Sequence, residues 1–198
     1  MKPHAPALRA DPEYFKAFAE IMRRIEHALG KPAAVKGPVT ICIAGGAALH
    51  LYTGSRVSKD IDAKVMARFL PPGNLEVAWR DADGHARLLY FDTQYNDTFG
   101  LLHESAYDDA IRIDVPGVDS RRLDVRLLSP LDLAVSKLSR YEGHDQEDIA
   151  ALARAGLIDA RSLRTRAEEA LPSYVGDTRR VKTSIDLAEK LVRRSAPR

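Results

Sequence analysis

The chain has 198 residues, 45% of them hydrophobic and 29% charged, with a formal net charge of +2, which suits one globular domain of roughly 100–200 residues with an added helical part. No run approaches the ~20 apolar residues of a membrane span, and residues 1–11 hold no apolar stretch of the secretory type. Cys42 is the only cysteine, which excludes an intrachain disulfide and fits a reducing, cytoplasmic compartment.

Cys42 lies in the apolar run Val39-Thr40-Ile41-Cys42-Ile43, so a buried, inert thiol is expected. Cysteine and histidine are too sparse for a structural zinc site. Charge is unevenly spread. Residues 161–198 carry ten Lys/Arg against five Asp/Glu, a balance of +5, which leaves −3 for residues 1–160. A basic tail on an acidic body could meet RNA or nucleotide phosphates, while the plainer reading is a solvated helix face.

In chain order, Asp11-Pro12 is a helix start. Phe15, Phe18, Met22, Ile25 and Leu29 follow at helical spacing, and Gly30 stops the run. A polar link over residues 31–38 leads to a buried strand over 39–44. Gly45-Gly46 breaks it, and a helix over 47–52 closes at Gly54. Residues 58–65 read as a strand, with Ile61, Ala63 and Val65 alternating against Asp60, Asp62 and Lys64. Strands over 75–79 and 87–91 flank the turn Asp81-Ala82-Asp83-Gly84. Further strands are expected over 99–102, 111–115 and 123–127.

After Leu128 the pattern is helical. Ser129-Pro130 opens a helix carrying Leu131, Val135 and Leu138, and Asp145 is placed as the cap of the next, which stops at Gly156. Asp159 and Asp177 cap two more, the last with Val181, Ile185, Ala188 and Val192 on one stripe. The expected fold is therefore α/β (α+β): a mixed β-sheet core with flanking helices over residues 1–128, then a C-terminal helical bundle over 129–198 packed on it.

The chemistry concentrates in Ala44-Gly45-Gly46 followed by Asp60-Ile61-Asp62. A strand ending in two glycines and feeding a helix lets backbone N–H groups approach phosphate oxygens, and the helix N-terminus adds partial positive charge. Asp60 and Asp62, at i and i+2 on a strand, leave the same face. Carboxylates that close repel one another, and a divalent cation removes the conflict. Magnesium takes hard oxygen ligands while keeping positions for phosphate and water. Glycine backbone for phosphate beside paired acids for metal is what phosphoryl transfer requires. The other phosphate-binding glycine motifs, Gly-x-x-x-x-Gly-Lys-Ser/Thr and Gly-x-Gly-x-x-Gly, are absent.

The segments Ile43-Ala44-Gly45-Gly46-Ala47-Ala48-Leu49-His50-Leu51 and Arg56-Val57-Ser58-Lys59-Asp60-Ile61-Asp62 resemble the opening of the DNA polymerase β-type nucleotidyltransferase superfamily. The second is similar to the abortive-infection nucleotidyltransferases, the toxins of bacterial toxin–antitoxin pairs. Residues 132–140 (Asp-Leu-Ala-Val-Ser-Lys-Leu-Ser-Arg) and 145–149 (Asp-Gln-Glu-Asp-Ile) resemble two later motifs of that group, a helical lysine and an Asp-x-x-Asp on the following helix.

The resemblance implies transfer of a nucleoside monophosphate from a nucleoside triphosphate (NTP) to a hydroxyl of RNA or protein, with a two-ion Mg2+ site. Gly45 and Gly46 would contact the triphosphate, and Asp60 and Asp62 would bind the metal. Arg56 and Ser58 would touch phosphate or stabilise the site. Lys137 would approach the phosphates, with Asp145 and Asp148 orienting it or the nucleotide. A third carboxylate is usual in the superfamily. Asp92, Asp97, Glu104, Asp114 and Asp124 are candidates, and Glu104, after Gly100-Leu101-Leu102-His103, is the expected one. A toxin role would add an antitoxin protein as partner. The alternative reading is a catalytically silent member that binds nucleotide or a partner protein.

Overall fold

The computed structural model of the chain describes residues 6–30, 37–67, 69–98 and 100–197. Residues 31–36 of the link expected over 31–38, and Phe99 of the strand expected over 99–102, lie outside them. The described residues fall into two compact units, Met1–Tyr95 with Ala110–Leu127, and Asn96–Asp109 with Leu128–Arg198.

The first unit opens with α1 (Pro12–Ala28), whose start is fixed by Asp11. The Asp11 carboxylate accepts hydrogen bonds from the N–H groups of Glu13 and Tyr14, and Pro12 occupies the first turn. The buried stripe is Tyr14, Phe18, Ile21, Met22 and Ile25. Phe15 and Leu29, expected in that stripe, are half-buried at its margin. Glu26, on the same helix, is also buried. It accepts from Arg122 Nη1 at 2.9 Å and from the Asp119 N–H, which ties α1 to the loop before the last strand.

Strands β1 (Val39–Ile43), β2 (Asp60–Val65), β3 (Glu76–Arg80), β4 (Ala86–Asp92), β5 (Ile111–Arg112) and β6 (Leu123–Leu127) form one sheet in the order β3-β4-β2-β1-β6-β5. It is mixed: β1 runs parallel to β6 and β2 parallel to β4, while β1–β2, β3–β4 and β5–β6 are antiparallel. Register sorts the side chains into two faces, because residues paired across neighbouring strands share a face. Ile41, Ile43, Ile61, Ala63, Leu89, Phe91, Trp79, Val125 and Leu127 occupy one, and most of these are nearly inaccessible. α1 packs against β3 and β4, where the Tyr14 and Trp79 rings meet edge to face at 5.5 Å. The other face carries Asp60, Asp62, Lys64, Asp92, Asp124 and Arg126.

Between β1 and β2 lies α2 (Gly45–Thr53), ended by Gly54 in the left-handed conformation (φ 64). Its expected start at residue 47 moves back to Gly45, since the glycine pair is the first turn of the helix. The strand expected over 111–115 is confined to Ile111–Arg112, although the Ile113 N–H still donates to the Val125 carbonyl at 3.0 Å. Residues 100–102 form no strand.

In the second unit, α3 (Pro130–Ser136), α4 (Gly143–Arg154), α5 (Ala160–Ala170) and α6 (Thr178–Ser195) follow in order. Ser129, Asp159 and Asp177 cap α3, α5 and α6, each accepting backbone N–H groups of the first turn. The cap of α4 differs from expectation. Glu142 is its N-cap, and Asp145 sits three residues in, where its side chain reaches back to the Glu142 N–H at 3.0 Å. Asp132 on α3 is buried and accepts from Arg166 of α5 at 2.7 Å, and the same guanidinium reaches Asp109 at 2.6 Å. This network joins the segment Asn96–Asp109 to the helices, an association of residues distant in sequence that a boundary drawn in chain order does not anticipate.

Candidate functional site

β1 delivers the chain to Ala44, whose N–H donates to the Asp62 carbonyl at 2.8 Å. The next residue, Gly45, has φ 56, a conformation that L side chains rarely adopt. A Cβ placed there would lie 1.9 Å from Asp62 Oδ2. At Gly46 an added Cβ would lie 2.8 Å from Ser58 Oγ and 3.5 Å from Arg56 Nη1. Two separate constraints therefore demand glycine: backbone conformation at Gly45, and the approach of the Asp62, Ser58 and Arg56 side chains at the two positions.

The glycine turn and the acidic strand thus face one another directly. Ser58 is buried, and its hydroxyl donates to Asp60 Oδ1 at 2.5 Å, fixing the rotation of that carboxylate. Asp60 and Asp62 are half-buried and Arg56 is exposed. Five of the residues singled out in the sequence, Gly46, Arg56, Ser58, Asp60 and Asp62, are gathered around Gly45. α2 presents its N-terminus at the same turn, with Ala44 as an N-cap lacking a side-chain hydrogen bond, so backbone N–H groups there are suited to an anion.

The five candidates for a third carboxylate separate clearly. Asp92, at the end of β4, is paired in register with Asp62 on β2, as Tyr90 is with Asp60. Asp62 and Asp92 therefore project side by side from the same face, on strands about 4.8 Å apart. One Asp92 oxygen accepts the Gln94 N–H at 2.8 Å. Glu104 lies on an exposed turn of the second unit rather than on a strand, contrary to the strand setting expected of a metal-binding acid. Asp97 in the same unit accepts from the Tyr107 hydroxyl. Asp114 is exposed. Asp124 is buried and faces Arg126 Nε at 2.8 Å and Arg112 Nε at 3.3 Å. The Arg112 approach has ion-pair distance without hydrogen-bond alignment, since Asp124 Oδ1 has no hydrogen-bond partner. The signal for Asp92 was its place at the end of the apolar run Leu88-Leu89-Tyr90-Phe91; its neighbour across the sheet was not visible in the chain order.

Asp60, Asp62 and Asp92 form a row of hard oxygen donors rather than a closed cluster. Among the described residues, the trio whose ligand atoms lie within 4.8 Å of one another is Asp81, Asp83 and His85 in the β3–β4 turn. There Asp81 is already engaged by Arg87 Nε at 2.8 Å and by the N–H groups of Asp83 and His85, a turn knitted by its own hydrogen bonds. The sheet acids differ in having a glycine cradle beside them, where a side chain would fill the space next to Asp62. That donor chemistry fits a magnesium ion.

On the opposite side, sequence reading missed Tyr14. Its ring packs on His50 of α2 at 4.4 Å and its hydroxyl is buried without a hydrogen-bond partner. Burial first, then the charges of Asp60 and Asp62, push its pKa up, so it remains a neutral phenol. His50 accepts the Asp11 N–H at Nε2, and its Nδ1 lies 2.7 Å from the Ser55 carbonyl. That pattern assigns the proton to Nδ1 and braces the start of α1 against the loop that carries Arg56.

In the second unit, Lys137 is buried and its ammonium lies 2.6 Å from Asp148 Oδ2, joining the end of α3 to α4. Asp145 instead pairs with Arg140 at 2.8 Å. Burial alone pushes the Asp145 pKa up, but the Arg140 hydrogen bond, the Glu142 N–H and the charges of Arg140 and Lys137 outweigh it, leaving a net depression. Of the two acids expected to orient Lys137, Asp148 contacts it directly and Asp145 holds Arg140.

No helix among the described residues is long and apolar enough to cross a membrane. No curated protein and no solved structure gives a significant match to the chain. The profile of one family, described as "Nucleotidyltransferase of unknown function (DUF6036)", matches residues 16–190, which takes in the glycine turn, the acidic strand and all but the last turns of α6. The chain belongs to this nucleotidyltransferase family.

Proposed function

We propose that the protein moves a nucleoside monophosphate from an NTP to a hydroxyl of RNA or protein, with Asp60, Asp62 and Asp92 as its carboxylates. The observation that carries this is the approach of Gly45 to Asp62, with Asp92 in register beside it. Backbone N–H groups of the glycine turn and the positive end of α2 take phosphate oxygens, and Arg56, exposed beside Gly46, adds a cation to them.

In the reaction an acceptor oxygen forms a bond to the α-phosphorus, the bond from that phosphorus to the bridging oxygen breaks, and pyrophosphate leaves. Asp60, Asp62 and Asp92 would hold Mg2+, which supplies charge neutralisation on the attacking and leaving oxygens. The acceptor hydroxyl must lose its proton as the new bond forms. Asp92, at the end of β4 and in register beside Asp62, is assigned as the acceptor of that proton. The Ser58 hydroxyl keeps Asp60 oriented, and the neutral Tyr14 fills the sheet behind the acids without adding charge.

The test is calorimetry of NTP binding with and without Mg2+, on the native chain and on Asp60→Ala and Asp62→Ala. Magnesium-dependent binding that both substitutions abolish is the expected result. Binding indifferent to the metal and to both substitutions would remove the proposal. Binding without turnover, against a broad panel of RNA and protein acceptors, would turn it into the catalytically silent reading. The similarity of residues 56–62 to abortive-infection toxins adds a toxin role with an antitoxin partner in the cytoplasm. Growth arrest on induction, relieved by Asp62→Ala, is its check.

A further inference from the structure

α6 is an 18-residue helix with two unlike faces. Val181, Ser184, Ile185, Ala188 and Val192 are buried, and the helix packs against α4 and α5. The opposite side carries Arg179, Lys182, Lys190 and Arg194, all exposed. At about 100° per residue these four fall within an arc of roughly 120°, and at ~1.5 Å rise they span about 22 Å along the axis.

The acids among them are already neutralised. Arg164 of α5 lies 2.5 Å from Asp186 and 2.6 Å from Glu189, and Arg193 also pairs with Glu189 at 2.5 Å. Arg179, Lys182, Lys190 and Arg194 take part in none of the ion pairs among the described residues. The result is a cationic ridge in which Asp186, at about 340° on the same wheel and so inside the arc, is compensated by Arg164.

A ridge of this kind attracts a linear polyanion in solution. A membrane surface is a weaker occupant, because the apolar face of α6 is buried against its neighbouring helices and only charge attraction to anionic lipid would remain. Arg179 with Lys182 and Lys190 with Arg194 form two pairs about 5–6 Å apart along the axis, with about 12 Å between the pairs, which suits phosphates of one flexible strand engaged at two places. Choosing RNA among polyanions rests on the nucleotidyl-transfer reading above, which names RNA as an acceptor. We propose that the solvent face of α6 binds the phosphate backbone of RNA through Arg179, Lys182, Lys190 and Arg194. Binding is largely independent of sequence, since no group in this row reads base edges.

The experiment is fluorescence anisotropy of the full chain with a short unstructured RNA oligonucleotide across a salt series. The comparison is with a variant carrying Arg179→Gln, Lys182→Gln, Lys190→Gln and Arg194→Gln. Each phosphate contact on a single strand contributes about 0.7 to the slope of log K against log salt, so the fourfold variant should lose roughly 3 from that slope and bind about 100-fold or more weakly at 0.1 M salt. Arg193→Gln, which removes a cation already paired with Glu189, should leave the slope within about 0.3 of native. If the fourfold variant does not fold, Lys190→Gln and Arg194→Gln separately should each lower the slope by about 0.7.

An unchanged slope, equal loss with Arg193→Gln, or equal affinity for polyglutamate of matched length would overturn the assignment. Asp62→Ala separates the two proposals. It should retain RNA affinity while losing magnesium-dependent NTP binding. RNA binding lost only with the ridge variant supports this inference even if the NTP experiment fails.

Discussion

Gly45 and Asp62 are adjacent in space though 17 positions apart in sequence, and a single methyl group on the first would lie 1.9 Å from a carboxylate oxygen of the second. The backbone at Gly45 is also left-handed. Gly45→Ala should therefore act twice, through about 1–2 kcal/mol of backbone strain and through displacement of Asp62. The expected outcome is a lowered Tm together with loss of magnesium-dependent NTP binding. Unchanged binding would mean that Asp62 moves aside at no functional cost, and the facing arrangement would lose its meaning.

The register of β2 and β4 separates two candidate acids. Asp92→Ala should reduce turnover by roughly 100-fold or more, while Glu104→Ala, on an exposed turn of the other unit, should stay within about twofold, since surface changes away from a site are near neutral. Single-turnover nucleotidyl transfer with an α-labelled NTP measures both. The reverse ranking would restore Glu104 and remove Asp92 from the chemistry.

Lys137 and Asp148 form a buried ion pair at 2.6 Å. Removing the cation with Lys137→Ala should cost about 3–5 kcal/mol, because the charge of Asp148 stays in a poorly solvated setting. Replacing both with apolar residues of similar volume should recover most of that loss. Denaturant titration of the single and double variants checks it; a double variant no better than the single would show that the pair supplies more than charge compensation.

The depressed pKa of Asp145 gives a pH dependence of definite sign. A carboxylate whose folded pKa lies below its unfolded value of about 3.9 contributes stability that is fully present above that value. The contribution is lost as pH falls through the folded pKa, when the carboxylate protonates and releases Arg140. Thermal unfolding between pH 7 and pH 2 should show an acid limb that Asp145→Asn flattens. A limb of the same size in that variant would place the titrating group elsewhere.

Local chemistry made much of this molecule readable from the chain alone. Asp11-Pro12, Ser129-Pro130, Asp159 and Asp177 mark helix starts because a side-chain oxygen and the orphan N–H groups it serves lie within three residues of each other. Asp60 and Asp62 share a face because strand geometry alternates side chains with a period of two. The order of strand, glycine pair, helix and acidic strand was enough to suggest a phosphate site and a family.

Tertiary structure decided what pairing across distance alone controls. Asp92 stands beside Asp62 only because β4 lies parallel to β2 in one register, and a slip of one residue would have turned its side chain to the other face. Lys137 found Asp148, Arg140 took Asp145, and Arg164 of α5 reached across to Asp186 and Glu189 of α6. Propensity and capping act within a few residues, so they write themselves into the sequence. Register, burial and charge pairing are settled by contacts between segments far apart in the chain, and only the folded arrangement selects among them.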